Sequence, residues 1–401
     1  MMLTLVSIVS SFLAVVVAVP VAVFVVEIIA ATFVSKRRHS ASPVEGVRGP
    51  IAVLVPAHNE SSGILPTLSD IKAQLRPSDR LVVVADNCDD DTADVAAAAG
   101  AEVVSREDLD RLGKGYALDF GLRYLATAAP PAVVVVVDAD CRLADNALEH
   151  LVRTCMSTHC PTQAFYVMSA PDGAMRDYRV AEFAWRIKNL ARPLGLQVLG
   201  LPCLLTGTGM AFPWDVFRSV NLASGSIVED MKLGLDLALA GKSPVLCRDA
   251  KVVSHFPSSV EGTLTQRRRW ETGHIDIILT MVPRLVLAGF VRANPKMLAL
   301  ALDVAVPPLS LLAVLIVGVL MVAILATLIG ASSVALFVSL STLAAFASGV
   351  CLAWWNCGRD ILRPSAMLSI MPYALAKLPL YGRIFSRTSG RQWIRTDRQK
   401  M

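Results

Sequence analysis

The sequence predicts a doubly wound α/β domain flanked on both sides by membrane-spanning helices. Between about Gly49 and Ala299, short β-branched runs alternate with helical stretches, which is typical of a parallel sheet covered by helices. Apolar runs near both ends are longer than the roughly 20 residues that a spanning helix needs. A hydrophobic content of 54%, a mean hydropathy of +0.55 and 18% charged residues agree with a chain that lies partly in lipid.

The N-terminal apolar run extends from Met2 to Val34 and contains Pro20 and Glu27. Its positive charge, Lys36-Arg37-Arg38, follows the run, whereas a cleavable signal peptide carries its charge before a shorter apolar core. We therefore expect a retained anchor. Because basic flanks stay on the cytosolic side, the N-terminus is predicted outside and the middle domain in the cytosol.

Two further apolar runs, Met297–Ile329 and Ser332–Trp355, predict a transmembrane hairpin. Asp303 and Pro307-Pro308 lie inside the first run, so its spanning part is expected to begin near Leu309. With the N-terminal anchor this gives three spans, and the basic C-terminal tail then lies in the cytosol. The expected location is the inner (plasma) membrane, with a multi-pass topology.

The stretch Ser365–Leu380 is apolar but contains Pro372, Lys377 and Pro379. We interpret it as an interfacial or re-entrant segment, with a fourth span as the alternative. The predicted domains are an anchor (1–35), a cytosolic α/β domain (49–275), an interfacial connector (276–300), a transmembrane hairpin (301–356) and an interfacial segment with a basic tail (357–401).

Charge and cysteine content exclude two classes of protein. A net charge of +5 is mild, and no basic stripe with interleaved aromatic residues is present, so no nucleic-acid partner is expected. The eight cysteines form no Cys-x-x-Cys pair, which argues against a disulfide framework or a zinc knuckle. Free thiols fit a reducing cytosol.

The middle domain contains four predicted strands with helices between them. Val133–Val137 has no polar alternation, which suits a strand covered on both faces. The predicted strands are Ile51–Val55, Leu81–Val84, Glu102–Val104 and Val133–Val137. The predicted helices are Ile64–Leu75, Asp91–Ala99 and Tyr116–Leu125.

Polar residues directly follow three of these strands, at the sheet edge where open α/β sheets bind ligands. The segments are Pro56–Glu60, Asp86–Thr92 and Asp138–Asp140. Asp138 and Asp140 are two residues apart on extended chain, so they can face a divalent cation and a diphosphate together. A solvated turn is the alternative for this pair.

Asp86 is the first residue after its strand and is a candidate ligand for a base or a ribose, whereas Asp91 or its neighbours are expected to cap the next helix. Lys114, between two glycines, supplies a cation where backbone can approach a phosphate, although the fuller phosphate-loop pattern is missing. Asp230 precedes a helix that Gly241 ends. It either caps that helix or acts as a general base.

Gln266-Arg267-Arg268-Arg269-Trp270 lies just before the C-terminal membrane region. Clustered arginines suit diphosphate recognition and stabilisation of a leaving group. Anionic lipid would also attract the arginines, but it accounts for neither Gln266 nor Trp270.

In this order, the motifs resemble glycosyltransferase family 2, in its membrane-integrated branch with the hyaluronan, chitin and cellulose synthases and related lipid-linked oligosaccharide transferases. The matching segments cover about residues 49 to 275. They are Val55–Glu60, Asp86, Asp138-Ala139-Asp140, Glu229-Asp230 and Gln266-x-x-Arg269-Trp270. One departure is Val228, where the family usually has threonine, which puts local acceptor contacts in doubt.

The resemblance implies a GT-A (Rossmann-like) fold and a hexosyltransferase that inverts the anomeric carbon. It implies Asp230 as the base, Asp140 as a ligand of Mg²⁺ or Mn²⁺, and Gln266, Arg269, Trp270 and Gly207 near diphosphate and acceptor. The nucleotide-sugar, expected to be UDP-linked, would be bound by Pro56, His58, Glu60, Asp86, Lys114 and Asp138.

The segment Tyr178–Leu205 mixes apolar and basic residues and is expected either on the membrane surface or as a core helix. It leads into Thr206–Met210, whose glycines would let backbone approach an acceptor sugar. The leading hypothesis is transfer to a lipid-linked or glycan acceptor at the membrane lipid in exopolysaccharide or surface-glycan assembly. The alternatives are a processive synthase that extrudes its product, with or without glycan-export partner proteins, and a non-catalytic scaffold subunit.

Overall fold

The computed structural model describes residues 1–33, 48–170, 176–223, 226–257 and 260–385. The predicted basic flank 36–38 and most of the basic tail lie outside these residues. The chain divides into two compact units. The helical unit comprises Met1–Val34, Asp172–Leu201 and Glu271–Gly390, and the sheet unit comprises Ser35–Pro171, Pro202–Trp270 and Arg391–Met401.

The strands in the described residues are β1 Ile51–Ala57, β2 Arg80–Asp86, β3 Glu102–Arg106, β4 Val133–Val136, β5 Arg142–Leu143, β6 Thr162–Ser169, β7 Met210–Pro213 and β8 Val245–His255. The α-helices are α1 Met2–Thr32, α2 Ile64–Lys72, α3 Thr92–Ala98, α4 Lys114–Leu125, α5 Ala147–Thr158, α6 Arg176–Arg186, α7 Arg192–Val198, α8 Trp214–Phe217, α9 Glu229–Leu239, α10 Val260–Val291, α11 Pro295–Ala305, α12 Leu309–Leu328, α13 Val334–Cys357, α14 Ile370–Leu375 and α15 Leu378–Phe385.

The sheet unit contains a mixed sheet of eight strands within the described residues, in the order β3-β2-β1-β4-β7-β6-β8-β5. The four predicted strands are β1 to β4, and they pair in parallel. The Val133–Val136 run is fully buried, as its unbroken apolar sequence predicts. The α/β fold class is therefore confirmed.

The packing of helix α4 on this sheet depends on a glycine. A Cβ at Gly121 would lie 2.5 Å from Leu54 Cδ1 and 2.9 Å from Val84 Cγ2. The helix therefore approaches β1 and β2 more closely than any side chain at this position would allow. This close approach places the N-terminus of α4, with Lys114, at the carboxyl edge of the sheet.

The other half of the sheet is antiparallel where β7 joins it. β7 pairs antiparallel with β4 and β6, while β8 runs parallel to β6. The ladder between β6 and β8 shifts register between Ala164 and Phe165. None of β5 to β8 is among the strands predicted from the sequence.

In the helical unit, α1, α12 and α13 pack against one another. Phe24 of α1 is fully buried and contacts Phe346 of α13 with ring centroids 5.7 Å apart. A Cβ at Gly349 would lie 2.8 Å from Phe24 Cε1, so a small residue is needed at this crossing. The three helices of this group are the three predicted spans.

Four helices in the described residues are long and apolar enough to cross a membrane: Met2–Thr32, Thr265–Val291, Leu309–Leu328 and Val334–Cys357. The hairpin begins at Leu309, as expected. The fourth candidate lies on α10 and overlaps residues 276–291 of the predicted interfacial connector, where no span was predicted. Ser365–Leu380, the predicted alternative for a fourth span, is broken into a 3₁₀ turn (Pro364–Ser369) and the short helices α14 and α15. These pieces are each too short to span a bilayer.

The helices α6 and α7 belong to the helical unit and are joined by a π-helical turn, Ile187–Ala191. Helix α6 and this turn bury apolar side chains in the core of the unit. Arg192 donates to Glu27 and to Asp303, both at 2.5 Å, and all three side chains are buried. This ion triad accounts for the two acidic residues that interrupt the apolar runs. Because each charge is paired, removal of one partner would leave an uncompensated buried charge.

Candidate active site

The site lies where β1 and β4 part at the carboxyl edge of the sheet. β4 pairs with β1 only as far as Leu54 and Val136, while β1 continues beside β2 to Ala57. Pro56 lies beyond the last β4 partner, so its missing N–H costs no hydrogen bond to β4. Strand order reverses at β1, which makes this a topological switch point where open α/β sheets bind ligands.

Four of the predicted residues meet in one cluster at this edge. Lys114, at the start of α4, forms an ion pair with Asp138 and donates to the Gly207 carbonyl at 2.6 Å. Gly207 has a φ of +95°, and a Cβ there would lie 3.2 Å from Asp230 Oδ2 and 3.8 Å from Lys114 Nζ. The loop backbone at Gly207 therefore lies between the lysine and the candidate base.

The charges of this cluster determine its protonation. Burial acts to lower the pKa of Lys114, but the charges of Asp138, Glu229 and Asp230 outweigh it, and the net pKa is raised. Lys114 is therefore a permanent cation. Burial, reinforced by the charge of Asp230, raises the pKa of Glu229 to about 7. Glu229 therefore takes up a proton near neutral pH, beside the candidate base.

Asp138 and Asp140 fit a divalent cation of the Mg²⁺ or Mn²⁺ class. Ligand atoms of Asp138, Asp140 and Cys141 lie within 4.8 Å of one another. Burial, together with the charge of Asp138, raises the pKa of the Cys141 thiol, so sulfur stays protonated and the two carboxylates are the oxygen donors. Thr67, fully buried on α2, holds this loop by sharing its hydroxyl proton between the carbonyls of Ala139 (2.8 Å) and Cys141 (2.7 Å).

Asp86 lies in a second group at the ends of β2 and β3. Its carboxylate accepts from Arg106 at 2.6 Å, and both side chains are buried. Burial raises the pKa of Asp86, although the Arg106 guanidinium opposes the shift. The backbone carbonyl of Asp86 accepts from His58 Nδ1 at 2.7 Å, which places the ring proton on Nδ1. Asp86 and His58 are thus brought together, with Arg106 as a partner.

Glu60 lies on the loop after β1, where its backbone N–H donates to Thr92 Oγ1 at 2.8 Å. The first turn of α3 is capped by Asp90, which accepts from the Thr92 N–H at 3.0 Å and from the Ser61 N–H at 3.3 Å. The sequence predicts a cap from Asp91 or a neighbour. Asp91 is at the N-cap position without a side-chain capping bond, and its neighbour Asp90 binds the first N–H of the helix.

Gln266, Arg269 and Trp270 form a third group near the start of α10, within the sheet unit. Gln266 is buried, and among the described residues neither its Oε1 nor Arg269 Nε has a hydrogen-bond partner. A buried polar atom without a partner is costly, so these atoms suit a polar ligand such as a diphosphate.

Sequence reasoning missed several residues that organise the site. They are Thr67, Arg106, Gln163 and Thr208. Thr208 Oγ1 accepts from the Asp138 N–H at 3.0 Å, and Gln163 holds the loop that contains Gly207. None of these residues follows a recognisable motif except Thr208, which belongs to the glycine-containing run Thr206–Met210.

The sequence profile described as glycosyltransferase like family 2 matches residues 48–273, which is more than half of the chain. The chain belongs to this glycosyltransferase family. It is therefore an enzyme of sugar transfer with a GT-A fold, and the resemblance inferred from the motifs is confirmed. The matched range contains all the predicted site residues.

Two solved structures are similar to this chain, and the first of them supports the fold. A mannosyltransferase from Pyrobaculum calidifontis, solved with GDP-mannose and Mn²⁺, is 17% identical, with a TM-score of 0.53 over 95% of this chain and 100% of that one. Glucosyl-3-phosphoglycerate synthase from Mycobacterium tuberculosis, solved with Mn²⁺ and UDP-glucose, is 24% identical, with a TM-score of 0.40 over 57% of this chain and 78% of that one. No curated protein matches the sequence.

The Glu229–Asp230 pair predicts the pH dependence of turnover. A proton on Glu229 removes a negative charge beside Asp230 and weakens the candidate base, so we expect the rate to fall as the pH drops through about 7, the value to which the pKa of Glu229 is raised. Glu229→Gln should remove this fall near pH 7, because glutamine does not titrate.

Turnover measured across a pH series on native protein and on Glu229→Gln tests this expectation. Glu107→Gln removes an exposed carboxylate elsewhere in the sheet unit and is the control. It should leave the profile unchanged. An acid limb at the same pH in native protein and Glu229→Gln would contradict the assignment.

Proposed function

We propose that this glycosyltransferase moves one sugar from a nucleotide donor, UDP-linked in our preferred assignment, to a lipid-linked acceptor at the plasma membrane. The observation that carries the proposal is the cluster in which Lys114 bridges Asp138 and the Gly207 carbonyl, with Asp230 on the other side of Gly207. This arrangement places a cation, metal-competent carboxylates and a base around one small space. Those are the groups that sugar transfer from a diphosphate requires.

The reaction we assign to the cluster is a single displacement with inversion. Asp230 takes the proton of an acceptor hydroxyl as its oxygen forms a bond to the anomeric carbon. The bond from that carbon to the diphosphate breaks, and the nucleoside diphosphate leaves with the electron pair. Asp138 and Asp140 would hold a divalent cation, which supplies charge neutralisation for the leaving diphosphate. Lys114 adds a fixed positive charge at the same place.

The nucleotide is assigned to the Asp86 group, and the diphosphate and acceptor to the α10 group. Asp86, with Pro56, His58 and Glu60 nearby, offers acceptors for the donor hydrogens of a base and a ribose. Gln266 and Arg269 offer buried polar atoms without partners among the described residues, and Trp270 is assigned with them.

The membrane helices support an acceptor that stays in the bilayer. Three helices of the helical unit pack together, and α1 precedes the sheet unit while α12 and α13 follow it. With the positive-inside pattern, this supports a cytosolic catalytic domain on a plasma-membrane anchor. We assign the role to assembly of an exopolysaccharide or another surface glycan.

A processive synthase is the second candidate, because its family branch shares these motifs. The group of three packed helices favours transfer of a single sugar, since a secretion channel needs more helices, an oligomer or a separate export partner. A scaffold without catalysis would not need the acidic cluster.

Incubation of the purified full chain with UDP- and GDP-sugars, lipid-linked acceptors and Mn²⁺ or Mg²⁺ tests the proposal. The panel covers both nucleotides because the two structures described above hold one of each. We expect one donor to yield a product larger by one sugar. A ladder of long polymer would overturn single transfer, and no product from any donor would overturn the proposed function.

A further inference from the structure

Gln163 is a buried amide on β6 whose hydrogen bonds converge on the site loop. It lies opposite Met210 of β7 and is 2% exposed. Its Oε1 accepts from the Thr206 N–H at 2.9 Å, and its Nε2 donates to the carbonyls of Thr208 and Ala164, both at 2.9 Å. Both N–H groups of the amide and its oxygen therefore have hydrogen-bond partners, which offsets the cost of burying an amide inside a sheet.

The segment held in this way is the loop Thr206–Gly209. Gly207 and Gly209 have φ values of +95° and +63°, so the loop has a conformation that other residues rarely adopt. The Ala164 N–H also donates to the Gly209 carbonyl at 2.8 Å. Gln163 therefore fixes the Leu205–Thr206 and Thr208–Gly209 peptide groups, which flank the Gly207 turn outside regular secondary structure.

The position of Gly207 in turn determines how two functional groups are placed. Its carbonyl accepts from Lys114, and its Cα faces Asp230 Oδ2. Thr208, between the two glycines, accepts the N–H of Asp138. A displacement of this loop would change the positions of Lys114, Asp138 and Asp230 relative to one another.

We propose that Gln163 is a positioning residue for sugar transfer, which holds the Gly207 loop so that Lys114 and Asp230 keep their separation. The inference rests on the proposed function of these two residues. Gln163 acts on these two residues through the loop backbone, to which it is hydrogen-bonded. A side chain here must accept one hydrogen bond and donate two, and among the amino acids of this size only an amide does both without charge.

Two substitutions and one control test the inference. Gln163→Leu keeps the approximate size and removes every bond to the loop. Gln163→Glu keeps the acceptor but donates only when the carboxyl is protonated. Thr162→Val is the matched control, because Thr162 is the fully buried neighbour on β6 and its hydroxyl bonds Cys160 rather than the loop.

We expect Gln163→Leu to lower kcat/KM for the nucleotide-sugar by about 10- to 100-fold, as a displaced catalytic constellation does. Thr162→Val should leave it within about twofold, since the loop bonds remain. Melting curves are recorded for every variant. A loss of turnover in Gln163→Leu with a melting temperature like that of Thr162→Val separates positioning from stability.

The pH dependence of Gln163→Glu provides a readout that a purely structural role would not change. Burial raises the pKa of an introduced carboxyl, and when protonated it donates to the Thr208 carbonyl. The ratio of its activity to native activity should rise as the pH falls from about 8 to about 6, while the Thr162→Val ratio stays flat. The charged and titratable groups around the loop include Lys114, Asp138, Glu229, Asp230 and Cys141, and their effects cancel in the ratio.

The outcomes distinguish this inference from the function on which it rests. If native protein transfers no sugar, the proposed function fails. If native protein is active but Gln163→Leu matches Thr162→Val, or the Gln163→Glu ratio is flat, the positioning role is wrong. If Gln163→Leu does not fold, the Gln163→Glu ratio alone decides.

Discussion

Replacement of Asp230 by asparagine is expected to lower kcat by about 10²- to 10⁴-fold, the range that a positioned general base contributes. Asparagine has nearly the same shape but cannot take a proton from the acceptor. Asp230 lies in the first turn of α9, where the helix dipole favours its ionised form. Donor affinity should change little, because in our assignment the nucleotide is bound by the Asp86 group.

The control for this variant is Asp215→Asn on α8. Asp215 pairs with His159 at 3.1 Å and is exposed, so its loss removes a carboxylate of the sheet unit that does not line the pocket of Lys114 and Asp230. Turnover with saturating donor and acceptor, together with donor binding by calorimetry, separates chemistry from binding. Native turnover in Asp230→Asn would show that another group takes the proton.

The donor side of the site could be predicted because its residues follow strands. Asp86 ends a buried strand and Asp138 follows one, so topology alone brings them to one edge. Their partners could not be predicted in the same way. Arg106 is 20 residues from Asp86, and Thr67 is more than 70 residues from the loop it holds. Such pairings depend on the tertiary fold, and the sequence carries no local signal for them.

The parallel half of the sheet was predicted and the antiparallel half was not, for a physical reason. β1, β2 and β4 are buried on both faces and read as continuous apolar runs. β8 contains Arg248, Asp249 and Lys251 around the register shift to β6, which breaks both the apolar run and the alternation. β7 has only four residues and follows a glycine loop. Tertiary pairing rather than local pattern makes these segments strands.

In the helical unit, the predicted hairpin boundaries depend on strong local signals. Pro307-Pro308 precedes α12, and Gly330, with a φ of +90°, lies between α12 and α13. The length of α10 had no such signal. Helix α10 continues from Val260 to Val291 through Pro283, so the site motif and residues 276–291 of the predicted connector belong to one helix. A proline usually suggests a break, and here the helix continues past it.

Removal of divalent metal is expected to abolish transfer, and Asp140→Asn is expected to lower kcat/KM by roughly 100-fold at fixed Mn²⁺, a part of the several kcal/mol that a bound cation contributes. Asp138 is paired with Lys114, so its replacement would also release the lysine. Asp140 therefore gives the cleaner test of the metal. Activity is measured after chelation and during titration with Mn²⁺ and Mg²⁺.

Asp145→Asn is the matched control, since Asp145 is exposed and lies five residues further along the chain, after β5. If Asp140 is a metal ligand, Asp140→Asn needs a higher Mn²⁺ concentration for half-activation, while the Mn²⁺ dependence of Asp145→Asn is that of native protein. A purely electrostatic role for Asp140 predicts instead a lower plateau with an unchanged midpoint. Full activity in chelator would refute the metal assignment, and Lys114 would then remain as the cation placed to neutralise the departing diphosphate.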